Sequence, residues 1–113
     1  MKVAYNASHG GFSLSRVATL WLAANGLESA INYLSTYCNE PWQSNCYDPD
    51  DISRHSDLLI RCLEEVGLEA ASGEMAVLRI AEVDDLYRIE DYDGYETVVQ
   101  PHQIKWISAL RDQ

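Results

Sequence analysis

The chain has little positive charge, few cysteines and no long hydrophobic run. Its 113 residues include 8 Lys and Arg against 18 Asp and Glu, which gives a net charge of −10. A surface this acidic repels phosphate backbones, so direct binding of DNA or RNA is not expected. No stretch of about 18 apolar residues occurs, and the sequence therefore predicts no transmembrane helix.

The polar N-terminus and the cysteine pattern both favour a soluble cytoplasmic protein. Met1–Asn6 is too short and too quickly polar for a signal peptide. Cys38, Cys46 and Cys62 are an odd number without CxxC spacing, which favours reduced thiols over zinc or a disulfide framework. A bridge between Cys38 and Cys46 is the less favoured alternative.

Signatures of catalysis and of cofactor binding are missing as well. His9-Gly10-Gly11 lacks the lysine and the spacing of a P-loop, and no serine lies in a GxSxG elbow. His9, His55 and His102 have no His or Cys partner at helical spacing, so no metal site is predicted. We expect a protein that is not an enzyme and needs no cofactor.

The hydrophobic pattern predicts one α+β domain over residues 1–113, with residues 38–51 as a loop. In chain order we predict a strand at Lys2–Tyr5, a helix over Leu14–Ala24 capped by Ser13 or Ser15, helices at Leu27–Tyr37 and Arg54–Val66, a strand at Met75–Val83, a hairpin at Leu86–Val99 and a short element at His102–Leu110. The expected architecture is two or three helices packed on one face of a small antiparallel sheet. This sheet would combine the N-terminal strand with a C-terminal three-stranded meander.

The hairpin carries the most informative local signal. Asp93-Gly94 supplies the positive φ angles of a two-residue type I′ turn, which sets Tyr92 opposite Tyr95 and Asp91 opposite Glu96. Two carboxylates directly opposite each other destabilise a hairpin. The Asp91 and Glu96 carboxylates are therefore either used for binding or simply solvated.

Two surfaces are candidates for binding. Arg54-His55, at the start of a predicted helix, would suit a small anion, although Arg54 paired with Asp50 or Asp51 is the alternative. The tyrosine-rich and acidic hairpin would suit a basic partner, although solubility is the favoured explanation of the charge. Seven tyrosines and three tryptophans exceed what a small core can bury, so some must lie on a surface, in a pocket or in an oligomer interface.

Two blocks of the sequence resemble a family of small accessory proteins encoded by tailed bacteriophages. They are Tyr5–Ser15, with its Gly-Gly-Phe motif, and the residues from Arg54 to Glu96, with Glu90-Asp91-Tyr92-Asp93-Gly94. The chain is also similar in size and layout to phage anti-Thoeris proteins, which are oligomeric sponges for cyclic nucleotides. The resemblance implies a counter-defence protein made in the host bacterial cytoplasm, and no residue role is carried over from it.

Two modes of action follow as expectations. As a sponge, a homo-oligomer would sequester a small cyclic nucleotide immune signal through Phe12, Arg54, His55, Tyr87, Arg88 and Arg111, with Trp42 as a further stacking candidate. As an anti-CRISPR-type inhibitor, the protein would dock on a basic nucleic-acid-binding surface of a host defence effector through Asp84, Asp85, Glu90, Asp91, Tyr92, Asp93, Tyr95 and Glu96. Neither mode requires a membrane.

Overall fold

The N-terminal strand pairs with a strand far along the chain, and the hairpin forms a second sheet. The structure, a computed structural model, describes residues 1–37 and 45–103. Its elements are β1 (Lys2–Asn6), α1 (Arg16–Ala24), α2 (Glu28–Tyr37), α3 (Asp57–Val66), α4 (Leu68–Ala71), β2 (Leu78–Glu82), β3 (Arg88–Tyr92) and β4 (Tyr95–Val99), followed by a 3₁₀ turn at Pro101–Gln103. The predicted α+β class is confirmed. The predicted element at His102–Leu110 lies mostly outside the described residues.

The strand pairing differs from the predicted meander. β1 pairs antiparallel with β2, and β3 pairs antiparallel with β4, in two separate two-stranded sheets. The Val83 N–H donates to the Met1 carbonyl at 2.7 Å, so the end of β2 continues its ladder with the N-terminus. Residues 83–87 then form a connection without glycine, which is too long for a tight hairpin turn between β2 and β3.

The helix ends follow local capping chemistry. Ser15 is the N-cap of α1, and its hydroxyl accepts the Ala18 N–H at 3.2 Å. α3 begins at Asp57 and not at the predicted Arg54, so Arg54 and His55 lie in the turn that precedes the helix. Gly67 ends α3 with φ 97°, a conformation that favours glycine. The short helix α4, which follows it, was not predicted from the sequence.

The helices cover one face of the β1–β2 sheet. Ala4 and Leu78 of this sheet share a hydrophobic core with α1 and α3, and the largest fully buried apolar side chains of that core are Leu14, Leu22, Leu59 and Leu63. The Leu14 N–H donates to the Tyr47 carbonyl at 2.7 Å, and the Gly73 N–H donates to the Ser13 carbonyl at 2.9 Å. These bonds fix the segment that carries Phe12 beneath the hairpin.

Candidate binding surfaces

The hairpin has the predicted turn and register. Asp93 and Gly94 have φ angles of 53° and 90°, as a type I′ turn requires. Tyr92 lies opposite Tyr95, and Asp91 lies opposite Glu96. Oδ1 of Asp91 accepts the Gly94 N–H at 2.8 Å, so this carboxylate stabilises the turn.

The carboxylate opposite Asp91 has a countercharge of its own. Nη1 and Nη2 of Arg54 donate to Oε1 and Oε2 of Glu96 at 2.6 and 2.9 Å. The Glu96 side chain is 6% exposed and that of Arg54 is 22% exposed. Oε1 of Glu96 also accepts the Asn6 N–H at 2.8 Å. Glu96 therefore joins β4 to β1 and to the turn before α3, and it is not left in water.

Arg54 is further held by an aromatic ring and by the backbone. Its guanidinium carbon lies 3.7 Å from the centre of the buried Phe12 ring. Its carbonyl accepts the Ala4 N–H at 2.8 Å. Stacking on a ring and a bidentate carboxylate both favour arginine over lysine here. The partner of Arg54 is thus Glu96, and not the Asp50 or Asp51 considered from the sequence.

A second carboxylate lies within the electrostatic reach of this ion pair. Desolvation raises the pKa of Asp48 above its ordinary value, and the negative charge of Glu96 adds to the rise, while the Arg54 charge acts in the opposite direction. The Arg54 guanidinium thus interacts with two carboxylates. It forms a bidentate hydrogen bond with Glu96 and acts on Asp48 through its charge. Asp48 is nevertheless an exposed residue, so the electrostatic penalty on its ionised form in the folded protein is small.

Exposed His55 and half-buried Tyr87 form a pair beside a cavity. Nδ1 of His55 lies 2.7 Å from the Tyr87 hydroxyl, and the two rings meet edge to face at 82°. Burial raises the pKa of Tyr87, and the Arg54 charge partly opposes this. The cavity has a volume of about 810 Å³ and is lined by Met1, Lys2, His55, Ser56, Asp57, Ile60, Arg61 and Glu64.

The remaining predicted ligand residues are spread apart. Arg88 makes an exposed ion pair with Glu90, with 2.7 Å between Nη2 and Oε1. Phe12 and Arg54 are joined to each other, as described above, but neither lines the cavity next to His55. Arg111 and Trp42 lie outside the described residues. That these residues bind a ligand stays a prediction.

The tip of the hairpin is an exposed aromatic cluster. The His9 ring lies 5.4 Å from the Tyr95 ring and 6.3 Å from the Tyr92 ring, between centroids. Tyr92 is 79% exposed and Tyr95 is 41% exposed. We call His9, Tyr92 and Tyr95 the tip aromatic cluster. Its exposure confirms that part of the tyrosine content lies on a surface.

Five exposed carboxylates lie along the hairpin and the turn before it. This acidic hairpin surface consists of Asp84, Asp85, Glu90, Asp91 and Asp93. Asp84 and Asp85 lie at the base, and Asp91 and Asp93 lie at the tip, about 17 Å away at the usual rise of a strand. With Arg88, the net charge of this segment is −4. Glu96, which we predicted to belong to this surface, is buried and does not contribute to it.

Asn6 docks the hairpin tip on β1, and this residue was missed in the sequence. Its side chain is fully buried, and Nδ2 donates to the carbonyls of Gly94 and Ser8 at 2.9 and 2.8 Å. Oδ1 accepts the Val77 N–H at 2.9 Å. A Cβ atom on Gly94 would lie 2.6 Å from the His9 carbonyl oxygen. The only signal in the sequence was an amide at the end of an apolar strand, which is not specific.

The described residues contain neither a three-residue group of potential metal ligands nor a helix suited to span a membrane. Within residues 1–37 and 45–103, no group of three or more His, Cys, Asp or Glu side chains could hold a metal ion. In the same ranges, no helix has both the length and the apolar character needed to cross a bilayer. Cys46 is exposed and Cys62 is buried, whereas the considered bridge from Cys38 falls on a residue outside the described ranges.

Comparison with protein-family models, with curated proteins and with solved structures finds no match to this chain.

Proposed function

We propose that this protein is a phage-encoded counter-defence factor that inhibits a host defence effector by binding and not by catalysis. In this proposal the acidic hairpin surface and the tip aromatic cluster dock on a basic, nucleic-acid-binding groove. The phage setting rests on the resemblance of the Gly-Gly-Phe and Glu90–Gly94 motifs. The binding mode rests on the geometry of the hairpin.

One observation carries the proposal: a hairpin held to the body by the Arg54–Glu96 pair presents five carboxylates beside a tyrosine that is 79% exposed. Such a surface would attract a basic groove over distance and would make close contact through aromatic rings. Arg54, in contrast, is neutralised inside the molecule by Glu96. This internal use of a largely buried cation favours the inhibitor over a sponge centred on Arg54.

The test is a DNA-cleavage assay with purified, guide-loaded CRISPR effector complexes. We expect inhibition that weakens as salt is raised, because exposed charges are screened. Charge reversal at two exposed positions, Asp85→Lys with Glu90→Lys, should raise the half-inhibitory concentration by about tenfold.

The matched control is Glu28→Lys with Glu69→Lys, which also reverses two exposed charges, on α2 and α4, away from the hairpin. It should inhibit as the wild type does. Thermal melting checks that each variant is folded. If no effector is inhibited, or if the control variant loses as much potency as the hairpin variant, the proposed docking surface is wrong.

A second candidate function, capture of a small cyclic nucleotide, is favoured by the cavity next to His55. Its volume lies within the usual range of ligand sites. Lys2 on its wall is paired with Glu64 at 2.6 Å, so Arg61 is the side chain there that would meet a phosphate. A ligand that binds only the folded state raises the melting temperature. Cyclic ADP-ribose should therefore stabilise the protein, and Arg61→Ala should remove this gain. Equal melting curves with and without the nucleotide would exclude it as the ligand.

A further inference from the structure

Within the part of the chain that the structure describes, no strand pairs with the outer edge of β2. Val83 and Val77, which flank β2, form backbone hydrogen bonds with Met1 and Ala7, which flank β1. The backbone groups of Val83 and Val77 therefore point toward β1. Because an antiparallel ladder alternates, the N–H and C=O groups of Leu78, Ile80 and Glu82 point to the other side. The Leu78 N–H donates to Oγ of Ser72 at 3.0 Å. Among the described residues, no hydrogen bond engages the outward backbone groups of Ile80 and Glu82.

The opposite edge of the same sheet is covered. On β1, the Ala4 N–H donates to the Arg54 carbonyl and the Asn6 N–H donates to Glu96, each at 2.8 Å. The Arg54–Glu96 pair thus closes one side of the sheet and leaves β2 as its accessible edge. An accessible edge strand is a template for a further strand.

A groove runs beside the start of this edge. It has a volume of about 540 Å³ and is lined by Leu68, Glu69, Ser72, Gly73, Glu74, Ala76, Val77, Leu78 and Arg79. Leu68 and Val77 supply apolar surface, since they are 37% and 44% exposed. Apolar contacts beside free backbone groups are what strand addition uses for specificity and affinity.

The charges near this edge select the kind of segment that fits. Glu69 and Glu74 line the groove with Arg79, in a protein of net charge −10. Exposed Glu82 lies farther along the edge, and the N-terminal amine of Met1 lies 3.3 Å from its Oε1. A basic segment is therefore attracted. Pairing with a second copy around Ile80 would place the Glu82 carboxylate opposite Leu78 and would bring two strongly acidic molecules together. The geometry thus disfavours self-pairing.

We propose that the β2 edge binds an extended polypeptide segment of a partner protein in which Lys or Arg alternates with apolar residues. The segment adds as a third strand to the β1–β2 sheet. This site is separate from the acidic hairpin surface and does not depend on the proposed inhibition.

The test uses a defined probe, a terminally blocked Lys-Val-Lys-Val-Lys-Val peptide, titrated into isotope-labelled protein. We expect the largest amide shifts at Ile80 and Glu82. A peptide with Pro in place of the central Val cannot form a regular strand, and a Glu-Val peptide has the wrong charge. Both should bind at least about tenfold more weakly.

A matched pair of variants separates backbone pairing from charge. Glu82→Thr and Glu82→Pro both remove the carboxylate, but only proline removes the outward N–H, and it breaks no bond to β1. We expect Glu82→Pro to bind the Lys-Val peptide about tenfold more weakly than Glu82→Thr, with melting curves confirming that both variants fold.

Three results would each overturn the proposal. The first is shifts centred on the hairpin tip and not on β2. The second is equal binding by folded Glu82→Pro and Glu82→Thr. The third is sedimentation of the wild-type protein alone as a dimer that Glu82→Pro dissociates, because this would assign the edge to a second copy.

Discussion

Arg54 and Glu96 form a bidentate ion pair that holds the hairpin against the rest of the molecule, with nitrogen–oxygen distances of 2.6 and 2.9 Å. Glu96 is buried and Arg54 is mostly so. A pair of this kind is sensitive to the loss of either member, because the remaining charge stays in a poorly solvated place.

Replacing Glu96 should therefore destabilise the fold. Glu96→Gln keeps the shape of the side chain but leaves the Arg54 charge without its partner, so we expect the free energy of unfolding to fall by about 2–3 kcal/mol. Urea denaturation measures this. The control is Glu90→Gln, which removes half of an exposed ion pair on the same hairpin and should cost less than about 1 kcal/mol. Equal losses in the two variants would mean that the Arg54–Glu96 pair is not an important anchor.

Two glycines test the close approach between the hairpin tip and the His9 loop. Gly26 and Gly94 have similar positive φ angles, 93° and 90°, but a Cβ atom on Gly26 would meet open space. Gly26→Ala should cost about 1 kcal/mol from backbone strain alone. Gly94→Ala should cost at least about twice as much, because its Cβ atom would overlap the His9 carbonyl. Melting temperatures of the two variants should differ by several degrees, and identical values would contradict the observed contact.

Asp48 should make stability depend on pH. Its pKa is raised in the folded protein above the ordinary value of 3.8. The folded state is therefore penalised as pH rises through the raised pKa, and the penalty is absent below 3.8. Asp48→Asn should raise the melting temperature at about pH 7, and this gain should disappear in acid. If Asp48→Asn raised the melting temperature equally at neutral pH and in acid, ionisation of Asp48 would not be the cause of the gain.

The thiols of Cys46 and Cys62 should differ in reactivity. Burial raises the pKa of the Cys62 thiol to about 12, and Glu65 adds to the rise. Its Sγ also donates to the Ala18 carbonyl at 3.5 Å. At about pH 8, iodoacetamide should modify exposed Cys46 more than about a hundredfold faster than Cys62. Peptide mass spectrometry locates the adducts. Denaturant should equalise the rates, and comparable rates in the folded protein would contradict the burial of Cys62.

The sequence predicted best the features that depend on neighbouring residues. The Asp93-Gly94 turn determines the hairpin register by itself, because only a few residue pairs accept two positive φ angles. The Ser15 cap and the Gly67 end of α3 are equally local. The α+β class could be predicted from the presence of these helices and strands, without knowing which strands pair.

Pairing across the chain could not be predicted in this way. Nothing in the pattern of β2 distinguishes β1 from β3 as its neighbour, and the meander was the simpler choice. The partner of Arg54 was missed for the same reason, since Glu96 is distant in sequence while Asp50 and Asp51 are close. The role of Asn6 depends on two distant backbone groups, the Gly94 carbonyl and the Val77 N–H, which no spacing rule describes.

No backbone hydrogen-bond ladder joins the β1–β2 sheet to the β3–β4 hairpin, so the two can separate by local unfolding. Side chains of Asn6 and Glu96, and one guanidinium, hold the hairpin to the body, while β1–β2 and the helices have a core of their own. The hairpin can therefore detach as a cooperative unit without global unfolding. Its amide hydrogens should exchange with solvent by this lower-energy route, so the region proposed to bind an effector should be less protected than the β1–β2 sheet and the helices that share its core.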